Sequence, residues 1–598
     1  MKKLIAITIT LFSCFCSLAQ GSSQPSVAYT LKVDATDLSA FEVQIRLTNM
    51  PSTFRLAMIA HPEYDDRYWR YVEGIDIGTI DSKGIIIRED SAVWRVTAPG
   101  KEATVRYKIR LPKENGQRAA WRPFLSPTGG LTGGPHAFMY IVGNTQIAST
   151  VKLDIPADWK IVTGLDKTKD PSVFSASSVA MLVDCPFLIG KFKEWFFSVA
   201  GVKHRVAYWL LPDAKPFDSL KLVGAIKKIV EQAAVVFGKF PYDRYSFIFQ
   251  DGAYGALEHA NSVTLGIPTS NLEEEYADYL NEIAHEYFHN WNLVRIHPSE
   301  YGDLSYIKQP LSKGLWFSEG FTMFYADLLA LRAGLPLSDT TRLKHLERLI
   351  RRYYNSPGNR QISPERVSMA EYGPPGMLGD YTGSPHLQGE LIATILDLII
   401  RDATNGKRSV DDVMREMMKR FSGAKGFTSK DIEEIAGNIS GTDLHPFFVD
   451  HVYGNKEIDL NKHLRLAGLT FELSWRDAID RQGKPAADLR IYTLDTDDES
   501  IVRLAITDPD GIWARARVHT GDQLTSMNGV EIKTRDDFWR MIRKVQIGDT
   551  VELHLLKISK DVQRRVIVGT YKQPVVQWRP EKTTERQDRM KRDWMEGL

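Results

Sequence analysis

The stretch from Asn281 to Asn292 restricts the fold of this chain more than any other. It contains the sequence His-Glu-x-x-His, and the pattern around it is that of a helix. Asn271, followed three residues later by Glu274, predicts a capping box where this helix begins. Apolar residues then recur at steps of three and four residues, the spacing of one buried helix face: Leu272, Tyr276, Leu280, Ile283 and Tyr287.

On that helix His285 and His289 lie one turn apart on the same side, so both imidazoles can reach one metal ion. Glu286 is rotated away from them, where its carboxylate can address a water molecule on the metal rather than the metal itself. A third ligand is expected from a second helix, and Trp316 to Thr322 opens an apolar segment that contains Glu319. Two histidines and one carboxylate leave the fourth position of a tetrahedral zinc to water, which is the catalytic arrangement. We therefore expect one zinc ion per chain.

The size and charge of the chain narrow the other possibilities. A chain of 598 residues is too long for a single hydrophobic core, so several domains are expected. Its net charge of +1 offers no electrostatic basis for binding nucleic acid or an anionic membrane. No segment is apolar for long enough to span a bilayer.

The N-terminus has the pattern of a secretory signal peptide. Lys2 and Lys3 precede an apolar core from Leu4 to Phe12, and the small residues that end at Ala19 provide a cleavage site. We assign residues 1–19 to this signal and expect an exported protein, either periplasmic or secreted.

Hydrophobic patterning divides the remainder into units that together make a multidomain α+β protein. Residues 26–195 have the pattern of β structure, and we expect a β-sandwich-like domain that forms one wall of the active site. Residues 200–334 mix strands with helices and carry the metal-binding pattern, whereas residues 335–460 are predominantly helical. One half-buried strand of the first unit is clear from its alternating apolar residues: Phe41, Val43, Ile45 and Leu47.

The last folded unit, residues 487–572, has the order of elements of a bacterial PDZ domain. Asn528-Gly529 is a strong hairpin signal, and residues 535–544 have a helical pattern. The glycine-containing loop that would hold a peptide carboxylate is absent, and the corresponding position in the sequence is occupied by residues 495–499. This PDZ-like domain is therefore expected either to bind peptide or to pack against the catalytic unit. Residues 573–598 are mostly charged and polar and are expected to form a solvated tail.

These features together resemble the glycyl aminopeptidase family of zinc metallopeptidases. The resemblance covers nearly the whole chain and rests on three motifs: His285 to Asn292, Trp316 to Thr322 and Gly255 to His259. It implies a thermolysin-like catalytic core in residues 200–334 and a preference for peptides with a small N-terminal residue, such as Gly or Ala. In aminopeptidase N-like enzymes the carboxylate ligand follows the second histidine more closely, so residues 293–312 are expected to be an inserted loop near the site.

The resemblance also assigns Glu258 to the substrate's free amine, with Gly255 beside it in the substrate-binding strand. A carboxylate near the metal can pair with a protonated α-amine through a charge-assisted hydrogen bond. In the expected reaction zinc acidifies its water, and Glu286 takes the proton as the water attacks and delivers it to the leaving amine.

The group that stabilises the oxyanion is not fixed by the sequence. Related aminopeptidases use a tyrosine at a helix start, where this chain has His386. Two candidates remain: His386 itself, or Tyr381 from the preceding glycine-rich loop.

Two other functions share parts of this pattern. A zinc endopeptidase would use the same metal chemistry but would not need Glu258. A non-catalytic peptide-binding scaffold would be expected to have lost part of the ligand set or Glu286, and this chain has them all. We therefore expect an aminopeptidase that acts on peptide substrates and has no nucleic-acid partner.

Overall fold

The computed structural model describes residues 25–598, apart from residues 60–66, 80–83, 99, 113–116, 303–309, 495, 497–499 and 558–559. The predicted signal peptide therefore lies outside the described residues, as do part of the predicted inserted loop and most of residues 495–499. Within the described chain an N-terminal β region leads to a largely helical middle and then to a C-terminal β region. This order confirms the prediction of a multidomain α+β protein.

The N-terminal region builds three sheets that share one core. Its elements are β1 (Ser26–Lys32), β2 (Ala40–Thr48), β3 (Thr53–Ala57), β4 (Val72–Thr79), β5 (Ile85–Arg88), β6 (Val93–Thr97), β7 (Glu102–Arg110), β8 (Arg118–Ala119), β9 (Phe124–Ser126), β10 (Gly129–Gly133), β11 (Tyr140–Ile141), β12 (Ser149–Asp154), β13 (Lys160–Thr163), β14 (Asp166–Lys167), β15 (Val173–Ala176), α1 (Val179–Asp184) and β16 (Pro186–Gly190). The strand orders are β14-β15-β12-β1-β2-β7-β4, β13-β16-β10-β9 and β11-β3-β6-β5. Alternating apolar side chains from all three sheets meet in the common core.

The region predicted to be catalytic follows, and its mixed sheet supports the helices of the metal pattern. Its elements are β17 (Lys193–Val199), β18 (Val202–Trp209), α2 (Ser219–Phe237), β19 (Arg244–Gln250), β20 (Ala253–Tyr254), β21 (Ala256–Glu258), β22 (Ser262–Gly266), α3 (Tyr276–Phe288) and α4 (Leu315–Arg332). The sheet order is β17-β18-β19-β22-β21, with β18, β19 and β22 parallel and β21 antiparallel at one edge.

The N-terminal region lies directly against this sheet. Phe124 and Leu188 from the N-terminal strands pack with Trp209 of β18 and Ile248 of β19 in a small separate core. Strand β8 also pairs with β20, immediately before the edge strand β21. The N-terminal region is thereby fixed beside the start of the edge strand.

Helices dominate the next region. They are α5 (Arg342–Asn355), α6 (Pro357–Gln361), α7 (Pro364–Glu371), α8 (Pro385–Ala403), α9 (Val410–Phe421), α10 (Ser429–Ser440), α11 (His445–Phe448) and α12 (Leu460–Leu464). Their apolar faces join those of α2, α3 and α4 in one continuous core, so the boundary drawn between residues 334 and 335 does not separate two cores. None of the described helices has the length and apolarity needed to cross a membrane.

The C-terminal region contains a sheet with its own core. The elements are β23 (Thr470–Asp477), β24 (Ile491–Leu494), β25 (Val502–Ile506), α13 (Ile512–Arg515), β26 (Gln523–Met527), β27 (Val530–Glu531), α14 (Arg535–Ile542), β28 (Thr550–Lys557), β29 (Lys560–Ile567), β30 (Lys572–Arg579) and α15 (Glu585–Glu596). Strands β24 to β29 form the sheet. The hairpin predicted at Asn528-Gly529 joins β26 to β27, with positive φ angles at both residues.

The C-terminal sheet contacts the loop that precedes α8. Asp380 of that loop accepts hydrogen bonds from His519 Nδ1 and from the backbone N–H of Thr520, both at 2.7 Å. Gly376 of the same loop faces Thr520 and Leu494. The PDZ-like unit therefore packs against the catalytic part of the chain, one of the two possibilities that its sequence left open.

The prediction that residues 573–598 form a solvated tail is wrong. Strand β30 pairs with β23 along its whole length, and α15 buries Met590 and Trp594 in the catalytic core. Buried or half-buried arginines of the catalytic helices donate to the carbonyl oxygens at the end of α15 and just beyond it: Arg342 to Trp594, Arg332 to Gly597 and Arg401 to Leu598. The docking of α15 could not be predicted from its sequence, because most of its residues are charged or polar and only two fully buried apolar residues form its inner face.

The capping box predicted at Asn271 and Glu274 is also wrong. Turns occupy residues 270–275, and α3 begins at Tyr276 without a side-chain cap. These turns connect the end of β22, an inner strand of the sheet, to α3, so the helix starts later than the local pattern indicates.

Docking of α15 can be tested through its buried tryptophan. Trp594 is 2% exposed and its ring stacks under the Arg342 guanidinium at 4.4 Å. Trp594→Ala is expected to lower the free energy of unfolding by about 3–5 kcal/mol, the usual cost of removing a buried tryptophan. The matched control is Trp475→Ala, because Trp475 is 47% exposed on β23. Thermal and denaturant unfolding would measure both variants, and equally small effects would mean that α15 does not dock.

Candidate active site

The two histidines of the metal pattern project from the C-terminal end of α3. His285 lies in its last turn and His289 ends it, and both side chains are buried. Their Nε2 atoms are 2.9 Å apart. The opposite face of α3 packs Leu280, Ile283 and Tyr287 into the core, so protein packing fixes the position of the helix.

Glu319 reaches the two histidines from the first turns of α4. Its Oε2 atom lies 3.5 Å from Nε2 of His285 and 3.3 Å from Nε2 of His289. Zinc–ligand bonds of about 2.0–2.1 Å in a tetrahedral site put neighbouring ligand atoms roughly 3.3 Å apart. The three atoms predicted to be ligands therefore form a triangle of the size that a zinc ion requires.

A third imidazole, that of His386, stands at the same carboxylate. His386 lies in the first turn of α8, with Nε2 3.0 Å from Oε2 of Glu319. It is more exposed than the other two histidines. His285, Glu319 and His386 each offer one ligand atom within 4.8 Å of the others.

Two glycines allow α4 and α8 to come this close. Gly320 follows Glu319 and lies against Gly389 of α8, and a Cβ on either glycine would overlap backbone atoms of the other helix. Only residues without a side chain permit such backbone contact. This approach puts the N-terminus of α8, and hence His386, beside Glu319.

Glu258 belongs to the same site. It ends the edge strand β21, is buried, and is close enough to His289 to affect the pKa of that imidazole. Gly255 precedes β21 with a φ of +71°, and a Cβ there would approach the ring of Trp121 to 3.0 Å. Strand β21 therefore brings the Glu258 carboxylate to the histidine pair. The ring of Trp121, from the N-terminal region, lies against the residue that precedes this strand.

Comparison with known proteins identifies the family. The sequence model of the M61 glycyl aminopeptidase matches residues 278–383, and that of the Peptidase M61 N-terminal domain matches residues 28–191. The chain belongs to the M61 glycyl aminopeptidase family. It is accordingly a zinc metallopeptidase of the aminopeptidase type, and the triangle formed by His285, His289 and Glu319 fits that metal.

A solved structure shares the fold of this family member, and a second was matched at a lower score. An aminopeptidase N family protein from Idiomarina loihiensis is 20% identical, with a TM-score of 0.72 over 95% of this chain and 100% of that chain. A variant of the M1 zinc metallopeptidase from Deinococcus radiodurans is 16% identical, with a TM-score of 0.48 over 73% of this chain and 95% of that chain. No curated protein sequence matches the chain.

The charges in this family member suit a cation at the centre of the cluster. Burial opposes ionisation of Glu319, but His289 and His386 outweigh it and hold the pKa of its carboxyl well below the usual range. Burial, and then the neighbouring His289, lower the pKa of His285 to about 4. At neutral pH Glu319 is therefore ionised and His285 is neutral, the forms in which these groups bind a metal. Burial opposes protonation of His289, but Glu319 outweighs it and raises the pKa of that imidazole well above its usual value, so zinc would replace a proton on His289.

Glu286 has different surroundings from Glu319. Loss of hydration raises the pKa of its carboxyl to about 8, although His289 acts in the opposite direction. No hydrogen bond or ion pair of its side chain occurs among the described residues. A carboxyl group with a pKa near neutrality that is not held by a protein donor can both accept and release a proton, as a general acid–base group must.

Asn292 connects α3 and α4, the helices that carry the predicted ligands, a role that the sequence did not reveal. Its side-chain amide donates to the carbonyl oxygens of Phe317 and Ser318 at 3.1 and 3.0 Å. Its own backbone carbonyl accepts from Nδ1 of His289 at 2.9 Å. That hydrogen bond leaves the Nε2 lone pair of His289 directed at the metal position. The asparagine at the end of the His-Glu-x-x-His motif was the available signal.

Asn290 makes the corresponding connection to the edge strand. Its side chain donates to the backbone carbonyl of His259 at 3.2 Å and accepts from Arg295 at 2.7 Å. The residue that follows Glu258 is thus tied to the residue that follows His289. Two asparagines of one motif therefore position Glu319 and Glu258 relative to the histidines.

Tyr381 is not brought to the cluster. Its hydroxyl donates to Oε1 of Gln361 at 3.1 Å on the exposed side of the loop. Of the two candidate oxyanion donors, His386 is the one that lies beside Glu319.

Removal of Glu319 tests the metal triangle. Glu319→Ala leaves two histidines, an incomplete set for a tetrahedral zinc, so the variant is expected to lose most of its zinc during dialysis against a chelator. Zinc content per chain would be measured by mass spectrometry, and unfolding by circular dichroism. Glu434→Ala removes an exposed carboxylate of α10 and is the matched control. Full zinc retention in Glu319→Ala would exclude Glu319 as a ligand.

Proposed function

We propose that this protein is an exported aminopeptidase that removes an N-terminal Gly or Ala from peptides, using one zinc ion held by His285, His289 and Glu319. The observation that carries the proposal is the position of Glu258, a buried carboxylate on the edge strand next to those ligands. The export signal expected at residues 1–19 supports a periplasmic or secreted location.

Glu258 would define the enzyme as an exopeptidase. A carboxylate beside the metal ligands can accept a charge-assisted hydrogen bond from the protonated α-amine of a peptide. With the amine held there, the first peptide bond is the one nearest to the metal ligands. A peptide without a free terminus would lack this contact, which argues against the endopeptidase alternative.

Glu286 would move the proton. When bound, zinc supplies a Lewis acid that acidifies water and polarises the scissile carbonyl. The weakly hydrated Glu286 carboxylate accepts the proton of the attacking water and then returns it to the nitrogen of the leaving amine. Its place one residue after His285 keeps it beside the metal ligands without making it one of them.

His386 is the better candidate for stabilising the oxyanion. Its Nε2 lies 3.0 Å from Oε2 of Glu319, so a modest movement of the exposed ring can direct that nitrogen to a substrate oxygen. Burial opposes protonation of His386, yet Glu319 outweighs it and raises the pKa of the imidazole. A protonated imidazole is a strong donor to a developing negative charge.

Trp121 supports the preference for a small first residue. Its ring faces Gly255 at the start of the strand that ends in Glu258, and it also makes an edge contact with Tyr254. A bulky ring from the N-terminal region at this point would leave little space next to the substrate's α-carbon.

The PDZ-like unit would act chiefly as a support. Its contact through Asp380 holds the loop that leads to His386, and Asp488 and Arg490 pair with each other just before its edge strand β24. We infer packing rather than peptide capture as its main role.

The role of Glu258 can be tested by a ratio of two activities. In Glu258→Ala, kcat/KM on alanyl p-nitroanilide is expected to fall by about 10²-fold, the value of a partly buried charge-assisted contact. Activity on the N-acetylated analogue should change little, because that substrate has no amine to pair. A proportional loss of both activities would indicate a structural role for Glu258 and would favour an endopeptidase.

A second pair of variants compares the oxyanion candidates. His386→Ala is expected to lower kcat by about 10²–10³-fold with little change in KM, the effect of losing a donor that acts mainly in the transition state. Tyr381→Phe, whose hydroxyl is directed at Gln361, should stay close to the parent enzyme. Steady-state kinetics would measure both, and the opposite order would assign the role to Tyr381.

A further inference from the structure

A cavity of about 280 Å³ opens beside the metal ligands on the side of His285. Helix α3 forms one wall, α5 forms the other, and side chains of α4 and α8 close it between them. The residues that matter for its chemistry are Asp278, Glu282, Met323, Leu349, Arg352 and Glu390. None of them belongs to the metal triangle or to the amine site.

The place of the cavity along α3 relates it to the substrate. Glu258 is tied to the C-terminal end of α3, because Asn290 donates to the carbonyl of His259. The cavity lies towards the N-terminal end of the same helix, along Asp278, Glu282 and His285. A peptide whose amine is held at Glu258 and whose first peptide bond lies over the metal ligands therefore continues towards the cavity.

Helix α3 presents an acidic wall to the cavity. Asp278 and Glu282 lie one helical turn apart on the same face. Neither carboxylate has a hydrogen bond or an ion pair within the described part of the chain. Glu282 is only partly exposed, so its carboxylate would gain from a positively charged partner.

The opposite wall is largely neutralised by its own ion pairs. His345 bridges Glu390 and Asp339, and Arg348 pairs with Asp339 at 2.7 Å. These two acids and two bases compensate each other. Arg352 remains as an exposed cation at the rim. The two carboxylates of α3 outnumber this one cation, so the cavity has a net negative charge.

We propose that this cavity receives the side chain of the residue after the scissile bond and selects a basic one, Lys or Arg. Met323 and Leu349 offer apolar surface to the methylene stem, while Glu282 and Asp278 bind the charged end. This assignment rests on the proposed aminopeptidase function and specifies its substrates as peptides with a small first residue and a basic second one.

Three tripeptides with free amines test the assignment: Ala-Lys-Gly, Ala-Leu-Gly and Ala-Glu-Gly. The zinc-loaded enzyme is expected to cleave Ala-Lys-Gly with a kcat/KM at least about 10-fold above that for the other two peptides. A factor of about 10 is the usual effect of one charge-assisted hydrogen bond. Glu282→Gln should reduce the Lys-to-Leu ratio by about 10-fold, and Glu282→Lys should favour Ala-Glu-Gly over Ala-Lys-Gly. Because each ratio is taken within one variant, general damage to the enzyme cancels.

The control is Glu274→Gln, which makes the same chemical change at an exposed position before α3 and should preserve the ratio of the parent. Equal cleavage of the three peptides, or an unchanged ratio in Glu282→Gln, would overturn the assignment while leaving the aminopeptidase proposal intact. A preference of the parent enzyme for Ala-Glu-Gly would assign the cavity to acidic side chains through Arg352. Failure to cleave any of the three would reject the aminopeptidase proposal and this assignment with it.

Discussion

The Glu319 carboxylate stands within 3.5 Å of three imidazole nitrogens, and the architecture of the site depends on that convergence. Burying a carboxylate costs free energy unless positive groups or donors surround it. The imidazoles of His289 and His386 supply this compensation in the protein itself, and a zinc ion would supply more. Three helices must therefore meet at one point, each carrying its residue to within a few tenths of an ångström.

The surrounding structure makes this convergence rigid. Contact between Gly320 and Gly389 sets the distance between α4 and α8, and Asn292 fixes α4 relative to the end of α3. Helix α15 then closes the outer side, where Arg342, Arg332 and Arg401 bind its last carbonyl groups. Catalytic geometry near the middle of the chain thus depends on residues close to position 598.

Local patterns were sufficient to predict which residues the fold brings together at the centre of the candidate site. His285 and His289 could be predicted because their spacing matches one helical turn, and the apolar face of the same helix fixed their direction. Glu319 and Glu258 lie far away in the sequence, and only the motifs around them indicated that they join the histidines. A residue that acts through one long-range contact has no such local pattern around it. This applies to Asn292, Gly389 and Trp594.

Long-range contacts also explain why residues near Asn271 and in α15 depart from their local patterns. The residues at Asn271 match the local pattern of a helix start, but the chain uses them for the turns between β22 and α3. In α15 a few buried apolar residues among many charges are enough for docking, because the arginines that bind it are supplied by other helices. Tyr381 and His386 were equivalent candidates in sequence, and only the close packing of α8 on α4 distinguishes them.

The most direct test of this account is the position of the metal. A crystal of the zinc-loaded protein, measured on both sides of the zinc absorption edge, should show one anomalous peak per chain. We predict that this peak lies about 2.0–2.2 Å from Nε2 of His285, Nε2 of His289 and a carboxylate oxygen of Glu319. A zinc ion bound elsewhere, or one that excludes His289 and is held by His386 in its place, would contradict the account.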